Sequence, residues 1–178
     1  MLYEDALFLS FILGLMRWAV MGYAAWHDAR TRTFPNGLAA VFVFICAANA
    51  FLNGGLTDLA IPDGMGGLQD GGFLPTFGFH VLCMNTIAAV ATFALLFAFE
   101  LLWRRVRKTP GIGIGDLKFL FGLMLFEPVT AMLAFIFGLL AMAIAALLLR
   151  KKSLPLLPFV VGCYCSLLLA GIAVAFWM

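Results

Sequence analysis

The chain has 178 residues, 65% of them apolar and 11% charged, with a formal net charge of +2. Soluble domains run at about 45–50% apolar and about 25% charged. A mean hydropathy of +1.08 leaves too little polar surface for a water-soluble globule, which excludes a cytosolic enzyme, a nucleic-acid binder and a disordered tail.

The composition is that of an integral membrane protein surrounded by lipid, read as a single all-α, polytopic domain over residues 1–178. A spanning helix needs about 20 mostly apolar residues. In chain order the candidates are residues 6–25, 37–52, 79–103, 111–126, 129–149 and 155–178, six transmembrane helices in all. Glu4 and Asp5 precede the first where a cleaved signal peptide has a basic region, so the first is read as a retained span. Residues 53–78 carry Gly64, Gly66, Gly67, Gly71 and Gly72 and read as a flexible external linker. The fourth span is short and opens on glycines. It is expected to cross with tilt or local bilayer thinning. Cys46, Cys83, Cys163 and Cys165 lie in apolar spans at spacings that fit neither a zinc cluster nor a redox pair. They read as small hydrophobes, and no metal or cofactor is expected.

Six spans make the connections alternate in side. Arg30 and Arg32 follow span one; Arg104, Arg105, Arg107 and Lys108 follow span three; Arg150, Lys151 and Lys152 follow span five. All fall on one side, with Lys118 just inside span four on that side too. Glu4, Asp5, Asp58, Asp63, Asp70 and Glu127 fall on the other. Positive charge marks the cytosolic side, so both termini are expected outside. Arg17, in the middle of span one, fits neither set and is expected to turn into the bundle. Glu100 reads as a helix-end residue beside cations.

Two acids remain, and carboxylates at membrane depth are costly enough to be functional candidates. Asp28 sits at the cytosolic end of span one, and Asp116 at the cytosolic start of span four. Two facing carboxyl groups do not both ionise cheaply, so such a pair shares a proton. The ionised member takes a proton from water as that water attacks a peptide carbonyl; the protonated member hydrogen-bonds the developing oxyanion. Gly113 and Gly115, without Cβ atoms, allow an extended peptide to approach closely. Pro35 and Asn36 read as a helix start. His27 points about 100° away from Asp28 on a helix and is not read as a base.

Asp-x-Arg-x-x-x-x-Pro-Asn over residues 28–36, with Gly-x-Gly-Asp-x-Lys over residues 113–118, resembles the type IV prepilin leader peptidases, membrane aspartyl proteases of the Gly-x-Gly-Asp class. Residues 154–159, Leu-Pro-Leu-Leu-Pro-Phe, are similar to the family's Pro-rich entry into the last span. The resemblance implies that Asp28 and Asp116 are the catalytic aspartates. It also implies that Gly113, Gly115, Lys118, Pro35, Asn36 and Arg30 shape the substrate site. The implied partner is a prepilin or pseudopilin precursor, a basic leader followed by an apolar helix, cut at the cytosolic face of a prokaryotic plasma membrane. Larger members carry an N-terminal cytosolic domain with paired CxxC motifs and methylate the new N-terminus; a minimal, peptidase-only form is expected here. Phe34 stands where the family generally has Ile or Leu. Two other readings stay open: a presenilin-like intramembrane protease, and a proton-coupled transporter or channel subunit using the aspartates as relays.

Overall fold

The computed structural model describes residues 2–59, 74–108, 112–150 and 154–177. Among them there are six helices and no strand: α1 (Leu2–Thr31), α2 (Asn36–Leu59), α3 (Leu74–Arg107), α4 (Ile114–Phe126), α5 (Pro128–Leu149) and α6 (Leu157–Trp177). Five of these, all but α4, are long and apolar enough to cross a membrane. Large apolar side chains such as Phe8, Phe44, Ile87, Val129, Leu147 and Leu169 stand exposed along all five. A surface of that kind fits a lipid environment and would be an aggregation liability in water. The chain is built as a membrane-embedded, multi-pass helical protein.

Element boundaries shift from the hydropathy reading in informative ways. α1 continues to Thr31, so Asp28, expected at the end of span one, lies on the last turn of the helix. α2 reaches Leu59 and α3 starts at Leu74, so both ends of the expected external linker are helical. Its glycines, with Asp63 and Asp70, lie outside the described residues, as do Lys151, Lys152 and Gly111.

The helices on the basic side end alike. Arg32, Lys108 and Arg150 close α1, α3 and α5 with left-handed backbone, at φ of 55°, 55° and 51°. Their backbone N–H groups donate back to Asp28 O, Arg104 O and Leu147 O. A left-handed residue turns the chain sharply and satisfies terminal carbonyls. A cation at that place also meets the negative end of the helix dipole.

α4 is the centre of the bundle, packed on α2, α3 and α5, while α1 packs mainly on α2 and α6. Leu117, Phe119, Leu120, Leu123, Met124 and Leu125 are all buried, and a helix apolar on every side belongs in an interior. Phe119 stacks on Phe42 of α2 at 4.8 Å between ring centroids. Gly122 lets this happen, because a Cβ there would lie 2.7 Å from the Phe42 ring. With 13 residues, α4 is about 20 Å long, against a hydrocarbon thickness of about 30 Å. Its neighbours enclose it, and irregular backbone at membrane depth is tolerated where protein buries it. The Asn85 amide of α3 donates to Leu125 O at 3.0 Å and Phe126 O at 3.2 Å, satisfying the end of α4. Glu127 and Pro128 then start α5. Glu127 is half-buried and accepts a hydrogen bond from the Tyr164 hydroxyl of α6 at 3.3 Å.

Candidate functional site

Asp28 on the last turn of α1 and Asp116 on the first turn of α4 are brought together, close enough for their charges to act on one another. Each is also held by a backbone donor. The Leu157 N–H, at the first residue of α6, donates to Asp28 Oδ2 at 3.3 Å. First-turn N–H groups of a helix have no partner within it, so the Pro-rich entry to α6 delivers a free donor to a carboxylate. The Gly113 N–H hydrogen-bonds the Asp116 carboxyl, with Asp116 as third residue of α4 reaching back to the residue before the helix. Asp28 is only 6% exposed; Asp116 is half-buried. The pair thus has one sheltered and one more open member.

The two glycines have separate physical reasons. Gly113 has φ −68° and ψ 138°, backbone that any residue adopts. What excludes a side chain is Asp116 itself, since a Cβ on Gly113 would lie 2.9 Å from Asp116 Oδ2. At Gly115 a Cβ would lie 2.9 Å from Phe34 Cβ and 3.5 Å from Phe34 N. The start of α4 therefore packs against the backbone of the segment joining α1 to α2. Phe34 is buried there, edge-on to Phe119 at 5.9 Å.

Other residues singled out in the sequence divide. Lys118 Nζ donates to Asn36 Oδ1 at 2.6 Å, tying the first turn of α4 to the first residue of α2. Pro35 is exposed and its carbonyl accepts from Ala39 N at 3.0 Å, opening α2. Arg30 is not brought to the pair: its guanidinium lies 4.4 Å above the Trp26 ring on the exposed side of α1. Arg32 and His27, by contrast, lie near enough to act electrostatically on Asp28. His27 Nδ1 is engaged at 2.9 Å with both Thr31 Oγ1 and Thr33 O, so its role is to shape the turn after α1.

Glu100 is the residue sequence reasoning missed. It is 1% exposed, with Oε1 accepting from Arg104 Nε at 2.6 Å and Oε2 from Ile112 N at 2.7 Å. It anchors the backbone one residue before Gly113. Its signal in the sequence was Arg104 four residues on, the spacing of an ordinary helix-surface pair.

Ala39, Ala40, Val43, Phe93, Phe121 and Lys118 line a groove of about 300 Å³ between α2, α3 and α4. No group of three or more His, Cys, Asp or Glu residues is placed to hold a metal ion among the described residues. Two carboxyl groups within electrostatic reach can hold one proton between them, and such an arrangement can supply a carboxylate and an acid together. Comparison of the chain with protein-family models, with curated proteins and with solved structures finds no match to any of them.

Proposed function

We propose that the protein is a membrane-embedded aspartic endopeptidase that removes the leader of type IV prepilin-like precursors. The observation that carries this reading is that Asp28 and Asp116, from the ends of two separate helices, lie within electrostatic reach of one another. The resemblance of the flanking motifs supports it, as does the clustering of cations at the same end of the bundle. On this reading that end faces the cytosol of a prokaryote, with both termini outside.

The ionised carboxylate takes a proton from a water molecule while the water oxygen bonds to the scissile carbonyl carbon. The partner carboxylic acid gives its proton to the carbonyl oxygen, forming a neutral tetrahedral diol. Collapse of the diol breaks the C–N bond: the carboxyl that took the water proton gives it to the leaving amine, and the other carboxylate takes the proton of a diol hydroxyl as the new carboxyl C=O forms. The pair ends with one proton, as it began. The precursor's apolar helix approaches through the lipid along the groove of Ala39, Ala40, Val43 and Phe121, which sets its extended leader junction at the depth of the aspartates. Lys118 and Asn36, held together, form the rim of that entry.

The test is reconstitution of the purified protein in liposomes with a leader-bearing precursor, followed by mass spectrometry of the products. The reading expects one cut at the junction of basic leader and apolar helix. A cut inside the apolar helix points to intramembrane proteolysis of the presenilin type. Intact precursor together with proton flux across the liposome overturns the peptidase reading in favour of a transporter.

A further inference from the structure

Arg17 is 6% exposed, in the apolar interior of the bundle. Its guanidinium lies 3.7 Å above the ring of Phe126, the last residue of α4, and 5.8 Å from the Trp18 ring. Its Nε and Nη1, and Asn49 Nδ2 of α2, are buried donors with no hydrogen-bond partner. A buried charge is kept at this depth only where something compensates it. A carboxyl group, Glu127, is next in sequence to Phe126. The Tyr164 hydroxyl donates to Glu127 Oε2 and lies within electrostatic reach of both Arg17 and Glu127.

The spacing links this group to the aspartates. Arg17 precedes Asp28 by 11 residues on α1, and Glu127 follows Asp116 by 11 residues at the end of α4. At 1.5 Å per residue each interval is about 16 Å. α1 and α4 run antiparallel, so if the carboxyl pair is in register, Arg17 and Glu127 fall at one level. Between these two levels α1 packs on α2 and α6 rather than on α4. The register of the two aspartate-bearing helices is therefore set indirectly, through α2 and the Phe34–Gly115 contact, and by links between their own ends.

We propose that Arg17 is a positioning residue: with Glu127 and Tyr164 it forms a second polar lock that fixes α1 against α4 and so sets the approach of Asp28 to Asp116. The catalytic meaning of this lock rests on the dyad reading; the lock itself is a statement of geometry. Its orphan donors reach the Glu127 carboxylate through bound water, which suits a polar site with donors and acceptors on opposite sides.

The experiment is thiol cross-linking in membranes, with Cys46, Cys83, Cys163 and Cys165 replaced by Ala. Asp28→Cys with Asp116→Cys reports the dyad distance. Ser10→Cys with Asn53→Cys, at a pair whose side chains hydrogen-bond at 2.7 Å, reports the α1–α2 packing. Arg17→Met and Glu127→Gln are each expected to lower the 28–116 yield at least fivefold while leaving the 10–53 yield unchanged. Arg17→Lys is expected to restore at least half of it. In the native-aspartate protein, Arg17→Met is expected to lower kcat with KM held. Parental 28–116 yield in both variants overturns the proposal, and so does loss of the 10–53 link in both. Absence of a 28–116 link in the parent overturns the dyad reading instead.

Discussion

Adding one methyl group at Gly115 tests how tightly the site is assembled. An alanine Cβ there lies 2.9 Å from Phe34 Cβ, whereas carbon atoms in contact settle at about 3.5–4.0 Å. The start of α4 and the segment between α1 and α2 must then part by roughly 0.6–1.1 Å. Rotation of the Phe34 ring gives no relief, because the clash is with Cβ and the backbone. Overpacking of this sort costs about 1–3 kcal/mol. A displacement near 1 Å at a catalytic centre costs up to about 100-fold in rate. Gly115→Ala is therefore expected to cleave a precursor roughly 10- to 100-fold more slowly and to aggregate at a lower temperature in detergent. Phe34→Ala in the same chain should not restore either property, since it retains the Cβ. Gly113→Ala is the contrasting case: its Cβ meets Asp116 Oδ2, the far end of a side chain that can rotate. It should lose activity while keeping most of the stability. Parental rate and stability in Gly115→Ala, or rescue by Phe34→Ala, refute the packing argument.

Glu100→Ala strands the Ile112 N–H inside the protein, at a cost of about 1–3 kcal/mol, and releases the backbone that leads into Gly113; precursor cleavage should fall at least tenfold, and an unchanged rate contradicts the anchoring role. Asn85→Leu keeps the side-chain branching but leaves the carbonyls of Leu125 and Phe126 without their donor. Its thermal aggregation midpoint in detergent should drop, reflecting about 1–3 kcal/mol, and a parental midpoint refutes the capping argument. Ala40→Phe fills the exposed wall of the groove beside Lys118. It should raise KM for a full-length precursor more than for a short soluble leader peptide, and equal effects on both remove the groove from the account.

Asp28 and Asp116 were legible in the sequence because charge is so scarce that two acids at one membrane boundary stand out. The charge count that placed them on the same side needed only helix number, not packing. The role of Glu100 was hidden because it depends on the chain turning back after α3, so that the Ile112 N–H returns to a carboxylate 12 residues earlier in the chain. Arg17 was visible as an anomaly, yet its surroundings come from α4 and α6 and from side chains that no helical spacing relates to it. The central burial of α4 was hidden for another reason. In a bundle where every helix is apolar all round, hydropathy does not separate a helix facing lipid from one facing other helices. Its glycine start and Glu-Pro end were readable; its central burial was not. Arg30 matched a motif position, but its own turn of α1 carries it onto Trp26.

Replacement of each carboxyl group by its amide tests the central claim most directly, because Asn has the shape of Asp and neither the charge nor the exchangeable acid proton. Purified Asp28→Asn and Asp116→Asn proteins are compared with the parent on a leader-bearing precursor, by mass spectrometry of the released leader. The account predicts that each single variant loses cleavage by at least 1,000-fold, on the order of the loss when a member of a catalytic unit is removed, and that the double variant is no worse than either. Parental cleavage by either amide variant contradicts it.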